Sequence, residues 1–171
     1  MKTRESYSVL PDKFLTQMRE ATAKLQPPEA RYDRIHRVKT ASDVLKVMGP
    51  AYAALEVEEF VVLCLDAKNV LKRKEVIARG QANVVAVHPR EVFVAAIRFR
   101  AVGIIAVHNH PTGDANPSAD DVLVTERLAT VGKLLAIPLL DHVIIGGGTC
   151  DLFSFLDSGR MPGPVRVGTG W

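Results

Sequence analysis

Two histidines stand two positions apart in the segment His108-Asn109-His110, directly after an apolar run of strand length. Side chains two positions apart on a strand point to the same side, so both imidazoles face one way if the strand continues to His110, and Asn109 points away. A loop rich in Gly and Pro follows, and Ser118 and Asp121 come where the next helix should begin. Two imidazoles and one carboxylate are ligands for a divalent metal such as zinc. Three protein ligands leave a fourth position for water, as in catalytic zinc sites.

Ser118 and Asp121 also have a purely structural interpretation. Ser-x-x-Asp fits a capping box, in which the two side chains satisfy backbone groups at a helix start. The two interpretations are compatible, because the first turn of a helix directs its side chains toward the preceding loop. The conjunction with His108 and His110 favours the metal site.

A catalytic zinc site needs a nearby carboxylate as general base, and zinc lowers the pKa of a bound water to about 7. The candidates in the sequence are Glu58, Glu59 and Glu91. Glu58 and Glu59 stand at the start of the apolar run 60–65, whereas Glu91 lies in the first turn of a helix, where the helix dipole alone favours an acid. Both faces of the run 60–65 are apolar, so alternation does not decide between Glu58 and Glu59.

The elements that must position these residues follow from periodicity and from turn residues. Strands are predicted at 60–65, 70–80, 84–87, 103–107, 139–145 and 152–155, the last as a short strand or turn. Helices are predicted at 11–25, from Thr40 or Ser42 to Met48, from Pro89 to about residue 98, and at 118–135. Strands and helices intermix along the chain, which indicates an α/β or α+β fold with one central mixed sheet flanked by helices.

The apolar positions of the two later helices predict their buried faces. In the helix after Pro89 these are Val92, Phe93, Ala96 and Ile97. In the helix that follows Ser118 they are Val122, Leu123, Leu128, Val131 and Leu135.

Length and composition fit one soluble domain with a small extension. The chain has 171 residues, of which 47% are hydrophobic and 24% charged. No apolar run approaches the roughly 20 residues that span a bilayer, and no apolar signal core follows the N-terminus, so we expect a cytoplasmic protein without membrane contact. Cys64 and Cys150 lack metal or disulfide spacing and are expected to be buried free thiols.

Residues 31–39 form the most basic stretch of a chain whose net charge is +3. Such a stretch can bind DNA or an acidic partner, although a solvated face is the more common explanation. We expect a boundary near residues 38–42 that divides the chain into an N-terminal helical and basic extension (1–41), one folded domain (42–160) and a flexible tail (161–171).

Several motifs together resemble a known family. The pattern His108-x-His110, seven residues, Ser118, two residues, Asp121 is similar to the metal motif of the JAMM (MPN+) metalloproteases. The flanking segments His88-Pro89-Arg90-Glu91 and Leu140-Asp141-His142-Val143-Ile144 narrow the resemblance to the bacterial RadC-type JAMM domain, over about residues 42–160.

This resemblance implies the cytidine-deaminase-like fold of JAMM domains and a Zn²⁺ ion held by His108, His110 and Asp121. It implies that Ser118 hydrogen-bonds at the metal-bound water or at the oxyanion. The pattern Glu-x-Phe-x-x-x-x-Leu-Asp matches from Glu58 onward and favours that residue as the base, with Glu59 the adjacent alternative. The implied activity is hydrolysis of a peptide or isopeptide bond in a peptide or protein substrate. The alternative is a RadC-like factor of DNA repair or mobile elements that binds nucleic acid.

Three further features have competing interpretations. Asp141-His142 either orients a ligand histidine or forms an ordinary polar pair at a strand end. Arg90 either binds a substrate anion or forms a structural ion pair, and we expect the ion pair. The tripeptide His-Asn-His invites comparison with HNH nucleases, but the ββα pattern of that motif is absent from the sequence.

Overall fold

A five-stranded mixed sheet organises the chain in the computed structural model, which describes residues 37–80, 87–149 and 151–163. The helices are α1 (Ala41–Met48), α2 (Pro50–Ala53), α3 (Pro89–Arg98) and α4 (Ala119–Leu134). The strands are β1 (Glu58–Leu65), β2 (Leu71–Gly80), β3 (Gly103–His110), β4 (Leu139–Gly146) and β5 (Leu152–Ser154). The helix predicted at 11–25, most of the strand predicted at 84–87, and Cys150 lie outside the described residues.

The sheet order is β2-β1-β3-β4-β5. β1 pairs antiparallel with both β2 and β3, and β5 pairs antiparallel with β4. β3 and β4 are parallel and are connected through α4. The predicted mixed sheet with flanking helices is therefore confirmed.

Local sequence signals account for the helix starts. The Thr40 hydroxyl accepts a hydrogen bond from the backbone N–H of Asp43 and begins α1, so Thr40 rather than Ser42 is the cap. Pro89 opens α3, where its missing N–H costs nothing. Ser118 caps α4.

The main core lies between α3, α4 and one face of the sheet. Phe60, Val62 and Cys64 of β1 pack there with Phe93 of α3 and Leu128 of α4. Burial of Cys64 is as predicted, and the apolar surroundings raise the pKa of its thiol to about 12.

The prediction of burial is wrong for three residues: Ile97, Leu123 and Leu135 are 57%, 46% and 43% exposed. The face that α4 turns inward carries Thr125, Leu128 and Gly132 instead. A Cβ atom on Gly132 would stand 2.6 Å from the carbonyl oxygen of residue 137, so the helix approaches the following chain closely. This inner face therefore carries one small and one polar residue beside Leu128, and Leu123 and Leu135 lie outside it.

No helix among the described residues is long and apolar enough to cross a membrane. The cytoplasmic location remains a prediction from the sequence.

Candidate metal centre

Strand β3 extends to His110 and brings both motif histidines to the same side of the sheet. His108 is fully buried and His110 is partly exposed. The Asp121 carboxylate, from the first turn of α4, lies 3.0 Å from Nε2 of His108 and 3.5 Å from Nε2 of His110. The two Nε2 atoms are themselves 3.0 Å apart. The three residues predicted as ligands thus present one atom each to a common point.

Ser118 and Asp121 form the capping box and the ligand group at the same time. The Asp121 N–H donates to the Ser118 hydroxyl (3.2 Å), and the Ser118 N–H donates back to Oδ2 of Asp121 (2.7 Å). The Ser118 hydroxyl also donates to Oδ2 (2.6 Å). These bonds fix the carboxylate while its Oδ1 faces His108.

A chain of hydrogen bonds behind His108 fixes the proton positions. The Thr125 hydroxyl donates to the backbone carbonyl of Asp121 (2.6 Å), so it must accept from Nδ1 of His142, also at 2.6 Å. Burial lowers the pKa of His142 well below its ordinary value, so this ring is neutral and its Nε2 carries no proton. That Nε2 accepts from Nδ1–H of His108 at 2.9 Å. His108 therefore donates through Nδ1 to His142 and directs its Nε2 at Asp121 and His110.

His110 is oriented in the same way from the loop. Its Nδ1 lies 2.7 Å from the carbonyl oxygen of Asp114, which can only accept, so Nδ1 carries the proton. When the ring is neutral, Nε2 of His110 holds a lone pair directed at the point that Nε2 of His108 also faces. Hydrogen bonding to Asp121 raises the pKa of His110, so in the absence of metal a proton binds there.

Hydrogen bonds with His108 and His110 keep the Asp121 carboxyl group ionised. Burial raises the pKa of this carboxyl, but hydrogen bonds with His108 and His110 outweigh that effect and hold the pKa well below its usual range. The group is therefore ionised near neutral pH.

The donor set fits a tetrahedral zinc ion. Ligand atoms about 2.0–2.1 Å from zinc stand roughly 3.3 Å apart at the corners of a tetrahedron. The two Nε2 atoms are 3.0 Å apart, and the Asp121 carboxylate lies 3.0 Å from His108 through Oδ1 and 3.5 Å from His110 through Oδ2, all close to that value. Two imidazole lone pairs and a carboxylate at such distances repel one another unless a cation lies among them.

The two glutamates at the start of β1 lie on different sides of the strand. The ring of Phe60 stacks on His108, with centroids 5.9 Å apart, so Phe60 lies on the side of the metal ligands. Glu58, two positions earlier, shares that side, and its charge helps to raise the pKa of His110. Glu59 points the opposite way, is 5% exposed, and pairs with Arg79 (Nε to Oε2, 2.7 Å).

Asn109, between the two histidines, holds the chain on both sides of Glu58. Its Oδ1 accepts from the N–H of Glu59 (2.8 Å), and its Nδ2 donates to the carbonyls of Val57 (3.0 Å) and Leu55 (3.4 Å). Neither Asn109 nor Thr125 is identified as part of the site by the sequence. The spacing of Thr125 four residues after Asp121, on one helix face, is a signal that could have indicated it.

The other predicted residues lie outside this group. Glu91 is exposed and pairs with Arg90 at 2.9 Å, the structural ion pair that we expected for Arg90. Of the pair Asp141-His142, only the histidine orients a ligand. The Asp141 carboxylate instead accepts from the Ser154 hydroxyl (2.7 Å) and from backbone N–H groups.

A glycine turn supports the end of β3 at His110 and the loop that follows it. A Cβ atom on Gly146 would lie 2.3 Å from the carbonyl oxygen of Gly113 and 2.8 Å from the Thr149 hydroxyl. The N–H of Gly147 donates to the carbonyl of His110 at 2.8 Å. Only glycine at position 146 permits this close approach.

Comparison with known families agrees with the motif. Residues 38–160 match the model of the RadC-like JAB domain. The chain belongs to the RadC-like JAB domain family. The five-stranded mixed sheet flanked by helices is the fold of that domain.

Relatives of this RadC-like domain are proteins named UPF0758. The chain is 45% identical over 112 residues to one from Methanosarcina barkeri, covering 66% of this chain and 49% of the relative. It is 45% identical over 125 residues to one from Halalkalibacterium halodurans, covering 73% and 53%. A Staphylococcus aureus protein is 46% identical over 110 residues, covering 64% and 50%. The chain thus spans about half the length of these relatives.

Proposed function

We propose that this RadC-like domain is a zinc-dependent hydrolase that cleaves a peptide or isopeptide bond. The observation that carries the proposal is the convergence of two imidazole Nε2 atoms and one carboxylate on a single point. His108, His110 and Asp121 would hold the zinc ion. The JAMM-type motif and the family support the same reaction class.

Bound zinc supplies Lewis acidity and lowers the pKa of a water to about 7. The Glu58 carboxylate, on the side of the strand that faces the ligands, takes the proton of the attacking water and delivers it to the leaving amine. The Ser118 hydroxyl lies at the exposed rim of the centre and donates to Oδ2 of Asp121. It would turn this proton to the oxyanion of the substrate carbonyl when substrate binds.

Exposure gives the centre a closed side and an open side. His108 and His142 are fully buried behind it, whereas the side chain of His110 is 18% exposed and that of Asp121 13%. A substrate therefore approaches over His110 and Ser118, and the buried side keeps the ligands fixed and water excluded.

The test is a cleavage screen with fluorescence-quenched peptide and isopeptide libraries and the zinc-loaded full chain. We expect cleavage that is lost on chelation and is reduced about 10²–10⁴-fold by Glu58→Gln, the loss typical of a general base. Glu59→Gln is the matched control, because this neighbour points to the opposite side, and we expect it to retain cleavage. Cleavage that survives chelation, or that depends on Glu59 and not on Glu58, would overturn the proposal.

Nucleic-acid binding by residues 31–39 remains a prediction. Only the last three residues of that stretch, Arg37 to Lys39, lie within the described part of the chain.

A further inference from the structure

Four aromatic side chains form a row across the face of the sheet that carries the metal centre. The row follows the sheet order, with Phe60 on β1, His108 on β3, His142 on β4 and Phe155 directly after β5. Neighbouring rings are close, since their centroids are 5.9, 4.9 and 5.2 Å apart along the row. The ligand His108 and its hydrogen-bond partner His142 therefore lie between two phenyl rings.

Phe155 contacts His142 through both its ring and its backbone. The two rings are nearly parallel, with an interplanar angle of 8°. The N–H of Phe155 donates to the carbonyl of His142 at 3.0 Å. Phe155 is 1% exposed and His142 is fully buried, so the phenyl ring covers a face of the imidazole and keeps water from it. These contacts together fix the plane of the His142 ring.

The plane of the His142 ring determines how well it bonds to its partners. Its two nitrogens lie 2.6 Å from the Thr125 hydroxyl and 2.9 Å from Nδ1 of His108. Both hydrogen bonds lie near the ring plane, so a tilt of the ring would weaken both of them. Water that reached the ring would also compete with His108 for Nε2. A flat apolar neighbour prevents both changes, whereas a smaller branched side chain would leave space beside the ring.

The same phenyl ring supports the loop that orients the second ligand. Phe155 forms a small apolar cluster with Ile144 of β4 and with Ala115. Ala115 follows Asp114, whose carbonyl oxygen lies 2.7 Å from Nδ1 of His110. A loss of volume in the cluster would let this loop shift, and the acceptor that fixes His110 would shift with it.

The third ligand borders this cluster from α4. Val122, the residue after Asp121, is partly buried and packs against the cluster. Phe153 and Met161 also pack against it, and the Phe153 ring meets the Phe155 ring edge-on with centroids 5.2 Å apart. The groups that support all three ligands thus meet around the side chain of Phe155.

Arg160, an exposed residue, lies over these rings. Its guanidinium carbon is 5.8 Å from the centroid of the Phe155 ring and 5.5 Å from that of Phe153. The N–H of Arg160 donates to the carbonyl of Phe155 at 2.8 Å. The turn after β5 is therefore held against the phenyl ring, and Phe155 stays buried although its neighbour Leu156 is 52% exposed.

We propose that Phe155 is a positioning residue of the metal centre, which holds the His142 ring and the ligand loop in the arrangement that binds zinc. The proposal rests on the proposed zinc-dependent function and adds to it a residue that lies outside the motif. The side chain of Phe155 has no polar atom, so it acts only through the groups packed against it. A phenylalanine that merely filled space would affect folding and leave metal binding unchanged.

The experiment compares Phe155→Leu with Phe93→Leu in the full chain. The two phenylalanines are buried to the same degree, 1% and 2% exposed, but Phe93 lies on α3 in the main core. The melting temperatures of the metal-free variants should fall by similar amounts. Competition with a chromophoric chelator should show zinc affinity about tenfold or more weaker in Phe155→Leu, as for other residues that orient metal ligands. The zinc affinity of Phe93→Leu should stay within about twofold of the wild type.

Cobalt(II) supplies a second readout that reports the geometry of the ligands. Its visible absorption bands should change in position or intensity in Phe155→Leu and should match the wild type in Phe93→Leu. Phe155→Met nearly conserves the volume of the side chain but lacks the flat ring. It should change the bands in the same way with a smaller loss in melting temperature, so it keeps the test decisive if Phe155→Leu does not fold.

Three outcomes would overturn the proposal. Equal zinc affinities and equal cobalt spectra in the wild type and the Phe155 variants would show that the ring only fills space, while the proposed metal centre would stand. Equal losses of zinc affinity in Phe155→Leu and Phe93→Leu would assign the effect to general destabilisation. A wild type that binds neither zinc nor cobalt would overturn the metal centre and this proposal together.

Discussion

Nε2 of His142 accepts a hydrogen bond from Nδ1–H of His108 at 2.9 Å, inside the protein where neither ring meets solvent. His142 is itself fixed by the Thr125 hydroxyl at 2.6 Å. A residue that touches no proposed substrate therefore decides which nitrogen of His108 is available to a metal.

His142→Phe should weaken zinc binding by about 10–100-fold, because it leaves Nδ1 of His108 without an acceptor. Asp141→Asn is the matched control: its carboxylate contacts Ser154 and backbone groups but no histidine side chain. The Asp141→Asn substitution should lower the free energy of unfolding and leave the zinc affinity unchanged. Competition with a chromophoric chelator measures both variants, and equal zinc affinities would contradict the role assigned to His142.

Asn109→Ala should destabilise the protein by about 1–3 kcal/mol, because it leaves the N–H of Glu59 and the carbonyl of Val57 without partners. Hydrogen exchange at residues 55–59 should accelerate, and the zinc stoichiometry should be retained. Asn116→Ala is the control, since that amide bonds only to Asp114 in an exposed loop. A cost no larger than that of the control would refute the positioning role.

The metal-free protein should show a pH-dependent contribution from His110. Its pKa in the folded state is raised above 6.5, so its stabilisation is complete below pH 6.5 and is lost as the pH rises through the raised value. In the presence of EDTA, the difference in free energy of unfolding between wild type and His110→Asn should therefore shrink as the pH rises from 6.5 through the raised pKa. Urea titrations across that range measure it, and a difference that grows with pH would show that the sign is wrong.

The affinity for zinc should depend on pH through protonation of Nε2 of His110. Zinc must displace the proton from Nε2 of His110, so apparent affinity should fall about tenfold per pH unit once the pH is below the raised pKa. Chelator competition at several pH values tests this. A zinc affinity that does not change with pH below the raised pKa would mean that His110 is not a ligand.

Gly146→Ala should destabilise the protein by about 1–3 kcal/mol and weaken zinc binding, since the added Cβ would collide with the carbonyl of Gly113 in the ligand loop. Gly163→Ala is a suitable control because its added Cβ would meet nothing within 4 Å. Thermal melts with and without zinc compare the two variants. Equal melting temperatures and equal shifts with zinc in the two variants would show that the loop at Gly113 tolerates displacement.

The motif and the order of elements could be predicted because they depend on local patterns. The two-residue spacing of His108 and His110, a strand reaching them and a cap at Ser118 are all visible in the sequence, and the structure contains each of them. The choice between Glu58 and Glu59 could not be made in this way, because both faces of the strand are apolar. It required the register that places Phe60 opposite His108.

Other features depend on tertiary contacts that no periodicity encodes. Gly132 lies on the inner face of α4 where a Cβ atom would stand 2.6 Å from the carbonyl oxygen of residue 137, and Thr125 lies there with its hydroxyl bonded to His142. The alternation of a strand predicts that Asn109 points away from the metal, and it does, but the backbone that it binds belongs to a segment some fifty residues earlier. Such contacts arise only when β1 and β3 pair.

The most direct test of the central claim is the zinc content of the purified full chain, measured by plasma mass spectrometry beside that of His108→Ala after identical dialysis. Three convergent ligands predict about one equivalent of zinc in the wild type and a large loss in the variant. A wild-type content below about half an equivalent, unchanged by His108→Ala, would contradict the metal centre.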